Sequence, residues 1–208
     1  MWDANDIHAR LAAIRVADPG LQRFGASRHQ HRLGPTLSEA DVAAFEAQHR
    51  VTLPENYRTF LLEVGNGGAG PHYGLFPLHG EGMRDVDREE RFRSGHLATP
   101  FPHTQAWNPD YDVPVLGRPG PVDRMTEDEY FDERWTTGSL IVAEFGCGAF
   151  HRLVITGTAR GQVWFDDRAA DNGLAPEADF HAWYETWVHN QKKFDPAGQT
   201  AAEQDKIV

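Results

Sequence analysis

The chain has 208 residues, 40 % of them hydrophobic and 25 % charged, which is typical of a folded globular protein and long enough for one domain with a buried core. A formal net charge of −11 argues against nucleic acid as a partner, because phosphate binding requires a basic surface, and is compatible with a basic protein partner. The single cysteine excludes an intramolecular disulfide and a cysteine-based zinc site, and no apolar run reaches membrane-spanning length, so we expect a cytoplasmic protein with no membrane partner.

The beginning of the chain predicts an amphipathic helix and then a linker. Apolar residues recur at helical spacing between Asn5 and Val16, namely Ile7, Leu11 and Ile14. Asp18-Pro19-Gly20 ends this helix, and residues 21–35, which are polar and aperiodic, predict a linker. The chain then divides into an N-terminal helix and linker (residues 1–32), a main domain (33–190) and a polar tail (191–208).

Two further helices have clear start signals. Ser38 is placed to cap the first of them, and Asp41 is placed to reciprocate in a capping box. Pro54 stands at a first-turn position of the second, where its missing N–H costs nothing. The glycine-rich run 65–68 ends that helix, since glycine and asparagine tolerate positive φ.

The second half of the chain predicts an antiparallel sheet. Short apolar runs separated by glycine and proline lie at residues 73–78, 113–116, 138–145, 151–156 and 162–165. Glycine-containing connections between the last three runs suit hairpins. Residues 180–187 predict a closing helix with its aromatic side chains on one face. The fold class is therefore α+β, with helices first, a sheet later and one closing helix.

Five segments resemble, in order, the SMI1/KNR4 (SUKH) superfamily. They are Leu37-Ser38-Glu39 through Phe45 with Leu53-Pro54-Glu55-Asn56-Tyr57-Arg58, the run 68–78, Gly146-Cys147-Gly148, Leu153-Val154-Ile155-Thr156-Gly157, and Gly161-Gln162-Val163-Trp164-Phe165-Asp166. Together they span residues 33–190, and five matches in the right order make chance an unlikely explanation. The resemblance implies a single domain in which helices flank a central, mainly antiparallel sheet.

The resemblance also implies a function by binding rather than by catalysis. Bacterial members of the family are understood as immunity proteins that neutralise toxins, often nucleases, by direct contact, and fungal members regulate cell-wall assembly as interaction hubs. The family has no catalytic motif to carry over and no cofactor. We therefore predict a non-catalytic immunity protein bound to a cognate toxin, with an intracellular scaffold or regulator as the alternative.

Three patterns suggest chemistry at first sight, and each has a simpler structural interpretation. Cys147 and His151 would suit a nucleophile and its base, but a cysteine between two glycines is more often a small residue in a crowded turn. The eleven histidines show no metal-binding spacing; the closest pair is His29 and His31, so we predict no metal site. The glycine run 65–74 follows a helix instead of opening one, which is the wrong polarity for phosphate.

The carboxylates Asp166 and Asp167, with Asp171 nearby, leave three interpretations open. They would act as an acid and a base or hold magnesium if they converged, yet adjacent residues of a strand point to opposite faces. They would also suit a simple turn. The third interpretation is an exposed acidic loop that, with Glu129 and Asp132, faces a basic toxin.

Aromatic side chains near the glycine turns are candidate interface anchors, because Tyr and Trp are enriched in binding hot spots. Tyr73, in a predicted loop between His72 and Gly74, is the best candidate for exposure. The predicted partner-binding set is therefore Tyr73, Glu129, Asp132, Asp166, Asp167 and Asp171.

Overall fold

The computed structural model of the protein describes residues 1–79, 84–112 and 124–190. The predicted strand at 113–116 and the polar tail 191–208 lie outside these residues. In the described part the helices are α1 (Ala4–Ala17), α2 (Ala26–His29), α3 (Glu39–His49), α4 (Glu55–Glu63), α5 (Asp85–Arg91), α6 (Glu127–Tyr130) and α7 (Phe180–Asn190).

The strands form an antiparallel sheet and one small parallel pair. They are β1 (Tyr111–Asp112), β2 (Met125–Thr126), β3 (Ser139–Gly146), β4 (Ala149–Val154), β5 (Gln162–Asp166) and β6 (Leu174–Asp179). β3, β4, β5 and β6 lie in sequence order in the sheet, each antiparallel to the next, whereas β1 pairs with β2 in parallel. The predicted α+β class and antiparallel sheet are confirmed.

The predicted start signal of α3 is confirmed at atomic detail, whereas that of α4 is displaced by one residue. The Ser38 hydroxyl accepts the Asp41 N–H at 3.1 Å, and the Asp41 carboxylate accepts the Ser38 N–H at 3.2 Å, which closes the capping box at the start of α3. Pro54 stands one position earlier than predicted, at the N-cap of α4.

Both faces of the sheet are buried. Successive strand residues point to opposite faces, so Leu153 joins the larger apolar cluster and Val154 the smaller one. The larger cluster lies beneath α1, α4 and α7 and includes Ile7, Leu11, Phe60, Leu61, Leu140, Val142, Val163, Phe180 and Tyr184. On the other face, Phe101, Trp107 and Trp135 cover Trp164 and Leu174.

The segment predicted as a linker is packed into the domain. The His31 side chain is 1 % exposed, and its Nε2 lies 2.9 Å from Asp18 Oδ2. The same Asp18 carboxylate accepts the backbone N–H groups of Gln22 and Arg23. Polar residues that form hydrogen bonds with one another can be buried without apolar periodicity. Because the prediction relied on such periodicity, it gave residues 21–35 as a linker.

The strand-like run at 73–78 forms only isolated bridges with the outer edge of β3. The N–H groups of Tyr73 and Phe76 donate to Glu144 and Val142, at 3.3 and 2.8 Å. Gly74, with φ of +95°, breaks the extended conformation between them, and a Cβ at this position would lie 2.4 Å from the Gly68 oxygen. The run therefore covers the edge of the sheet without becoming a regular strand.

Candidate partner-binding site

Two connections meet at one end of the sheet. The β3–β4 turn (146–148) and the β5–β6 connection (167–173) lie at the same end, as the antiparallel order requires. Gly148, with φ of +84°, approaches so closely that a Cβ there would lie 2.9 Å from the Ala169 Cβ. We use the name turn end for the surface formed by residues 146–148 and 167–173 together with the side chains that flank them.

Aromatic side chains flank the turn end beside β3. The Tyr73 ring packs over Gly146, where an added Cβ would lie 3.2 Å from Tyr73 Cε2. Its centroid lies 5.0 Å from that of Phe24 and 5.3 Å from the guanidinium carbon of Arg28. Tyr73 is half-buried, and Phe24, 45 % exposed, is the more accessible ring. The sequence did not single out Phe24, because it is one aromatic residue in a polar segment.

Asp171 lies on the opposite flank, where two tyrosines connect it to α6. The exposed Asp171 carboxylate accepts the Tyr111 hydroxyl, and this hydrogen bond raises the pKa of Tyr111 to about 12. The Tyr111 ring stacks on Tyr130 of α6 with centroids 4.2 Å apart. Asn108 holds this arrangement in place, because its Nδ2 donates to the backbone carbonyl oxygen of Asp171 and its Oδ1 accepts from the Tyr130 hydroxyl.

Glu129 and Asp132 also cap local structure. The Glu129 carboxylate accepts the Thr126 N–H at 2.9 Å and also accepts the Thr126 hydroxyl. These two hydrogen bonds lower the pKa of Glu129. Asp132 accepts the Arg134 N–H at 2.8 Å. Glu129 is exposed, Asp132 is half-buried, and the Phe131 ring between them is 42 % exposed. The α6 region therefore presents carboxylates beside an accessible ring.

The prediction that Asp166 belongs to an exposed acidic loop is wrong. Asp166 is 4 % exposed, and its oxygens accept from Arg152 Nε at 2.6 Å and Arg168 Nε at 2.8 Å. Burial alone would raise the pKa of Asp166, but the two guanidinium groups hold it at about 2. Asp167, the first residue after β5, is half-buried and accepts from Asn172 Nδ2 at 2.8 Å, so the two carboxylates have different partners.

The structure separates the two residues of the suggested nucleophile–base pair. Cys147 is exposed in the β3–β4 turn, whereas His151 is 3 % exposed in β4. His151 Nδ1 lies 2.8 Å from Glu177 Oε2, and the His151 ring stacks in parallel on His72 with centroids 5.0 Å apart. No hydrogen bond joins Cys147 to His151 in the described residues, so the arrangement that the chemistry needs is not formed.

His29 and His31, the closest histidine pair in the sequence, are both buried and bind each other. His29 Nδ1 accepts the His31 N–H at 3.0 Å, and burial lowers the pKa of His29 to about 4. Across the described ranges, no three His, Cys, Asp or Glu side chains are grouped to hold a metal ion. No helix in those ranges is long and apolar enough to cross a membrane.

These observations define an α+β domain in which α1, α4 and α7 cover one face of a four-stranded antiparallel sheet, and in which turns, rings and carboxylates lie at one end of that sheet. The model of the SMI1 / KNR4 family (SUKH-1) matches residues 36–186, and the chain belongs to this family. Membership supports a non-catalytic domain. Neither the curated proteins nor the solved structures contain a match to the chain.

Proposed function

We propose that this protein is an immunity-type protein that acts in the cytoplasm and neutralises a cognate toxin by direct binding. The observation that carries the proposal is the turn end, where the exposed Asp171 and Glu129 carboxylates lie with the accessible rings of Phe24 and Phe131. Aromatic anchors supply much of the energy of protein interfaces, and complementary charge increases the association rate.

The chemistry of the turn end favours a basic partner. The chain carries a net charge of −11, and α6 begins with Glu127, Asp128 and Glu129. A nuclease toxin binds phosphate and therefore has a basic active-site surface. An acidic protein that occupies this surface competes with the nucleic acid, so inhibition follows from occlusion alone.

The first experiment captures the partner from native host lysate with the chain as bait. The test variant is E129Q/D171N, which removes two carboxylates but keeps the capping hydrogen bonds and the positive φ of Asp171. The matched control is E63Q/E89Q, which changes the net charge equally at exposed positions of α4 and α5. We expect a basic toxin to be retained in a salt-sensitive manner by the wild type and the control, and less by the test variant.

The family also supports the alternative of an intracellular scaffold or regulator, and co-expression separates the two roles. We expect the captured partner to stop growth of the host when it is produced alone and the wild-type chain to restore growth. A captured partner that is harmless when produced alone would contradict the immunity proposal and favour the scaffold.

A further inference from the structure

A groove runs behind Tyr73, on the side away from the acidic flank of the turn end. Its volume is about 750 Å³, within the size range of sites that accept small ligands or a few residues of a peptide. Residues that line it include Arg28, Asn66, Gly67, Tyr73, Phe76 and Arg84. We call it the Tyr73 groove.

The rim of the Tyr73 groove carries two arginines that share one carboxylate. Arg28 Nη1 lies 2.8 Å from one oxygen of Glu144, and Arg84 Nη2 lies 3.5 Å from the other. The Arg28 and Arg84 side chains are 49 % and 43 % exposed, whereas that of Glu144 is 12 % exposed. These three charges sum to +1, and the charge accessible to a ligand belongs to the guanidinium groups, although the chain as a whole is acidic.

The floor of the Tyr73 groove is formed by glycine backbone whose conformation is fixed by close packing. Gly67 and Gly68 have φ of +76° and +95°, and a Cβ at either would lie within 3 Å of backbone atoms, at 2.8 Å from Pro77 N and 2.3 Å from Arg32 O. Pro77 lines the adjoining wall beside the apolar Phe76. A backbone that is already constrained loses little entropy when a ligand binds.

We infer that the Tyr73 groove binds an extended protein segment in which a carboxylate side chain stands two residues after an apolar one, so that both point into the groove. The carboxylate binds Arg28 and Arg84, since guanidinium groups pair with carboxylates through charge-assisted hydrogen bonds. The apolar side chain packs between Tyr73 and Phe76. This inference goes beyond the proposed function, because the carboxylates of the turn end do not line the groove. The ligand of the groove is acidic, whereas the partner proposed for the turn end is basic.

The test uses the full chain and two capped tripeptides, Ac-Leu-Gly-Asp-amide and its isosteric counterpart Ac-Leu-Gly-Asn-amide, at millimolar concentration in a backbone-amide NMR titration. We expect the aspartate peptide to shift the amide signals of Gly67, Gly68 and Tyr73, and the asparagine peptide to bind about tenfold more weakly because it lacks the charge. Equal binding of the two peptides, shifts confined to other surfaces, or no shifts at all would overturn the inference.

Matched variants locate the contact. R28Q/R84Q should bind the aspartate peptide about tenfold more weakly, and R28K/R84K should retain part of the affinity. The control R134Q removes an exposed arginine that lies against Trp135, outside the groove, and should bind as the wild type does. If R28Q/R84Q loses the native spectrum, the affinity of R28K/R84K for the aspartate peptide is compared with that of the wild type instead. Equal affinities would contradict a bidentate contact of the guanidinium groups with the carboxylate. The turn-end variant E129Q/D171N should bind the peptide normally, so this test and that of the proposed function fail separately.

Discussion

The Arg152 guanidinium binds both oxygens of Glu90, at 2.6 and 3.0 Å, and so connects β4 to α5. Its Nε binds Asp166 at 2.6 Å, which in turn binds Arg168. The Arg152 side chain is 2 % exposed. Four alternating charges therefore lie buried on the face of the sheet opposite α7, and each has a partner of opposite sign.

Removing one member of this network should destabilise the fold strongly. We expect E90Q to lower the free energy of unfolding by about 3–5 kcal/mol, because it leaves a buried arginine incompletely paired. The control E133Q breaks the pair of Glu133 with Arg93, whose side chain is 57 % exposed, and should cost about 0–1 kcal/mol. Urea unfolding at pH 7 measures the free energy of unfolding of both variants. Equal losses would contradict a larger contribution of the buried network to stability.

The network also shows where reasoning from the sequence ended. The capping box of Ser38 and Asp41 was predictable because its signal lies within four residues. The burial of Asp166 was not, because its partner Arg152 and the next carboxylate, Glu90, come from separate elements. Tyr73 was predicted to be exposed but is half-buried, and the more accessible Phe24 lies against it from a segment whose polar pattern predicted a linker.

Phe24 should contribute to partner binding more than to stability. Its ring is 45 % exposed and lies against Tyr73, so F24A should change the free energy of unfolding by less than about 1 kcal/mol. As an interface anchor it should weaken capture of the partner by at least about thirtyfold, the effect expected of a hot spot. The control F92A removes a ring that is 58 % exposed at the C-cap of α5, where it lies against His49, and should leave binding intact. Equal binding by both variants would exclude Phe24 from the interface.

Acid should weaken the fold through His72. Burial, together with the neighbouring His151, lowers the pKa of His72 from 6.5 to about 4. The unfolded chain then binds a proton that the folded chain rejects, so stability is complete above about pH 6.5 and falls as the pH drops toward 4. His29, with a pKa of about 4, adds to the same trend.

The H72N variant isolates the contribution of His72. Asparagine suits the positive φ of 54° at this position, and its side chain does not titrate. Urea unfolding between pH 7 and pH 4.5 should show a smaller loss of stability for H72N than for the wild type, whereas H8N, at an exposed position of α1, should follow the wild type. Parallel curves for H72N and the wild type would contradict the assignment.

The β3–β4 turn should tolerate changes at Cys147 but not at Gly148. Cys147 is exposed with φ of +51°, a conformation that asparagine adopts more readily, so C147N should leave stability within about 0.5 kcal/mol of the wild type and leave partner binding unchanged. G148A places a Cβ 2.9 Å from Ala169 at φ of +84°, and should cost about 1–3 kcal/mol because both the contact and the backbone are strained. Thermal unfolding and partner capture measure the two variants together. Loss of partner neutralisation in a stable C147N would reopen a chemical role for the thiol, whereas its retention leaves Cys147 as the tip of a turn whose shape is set by the glycines on either side.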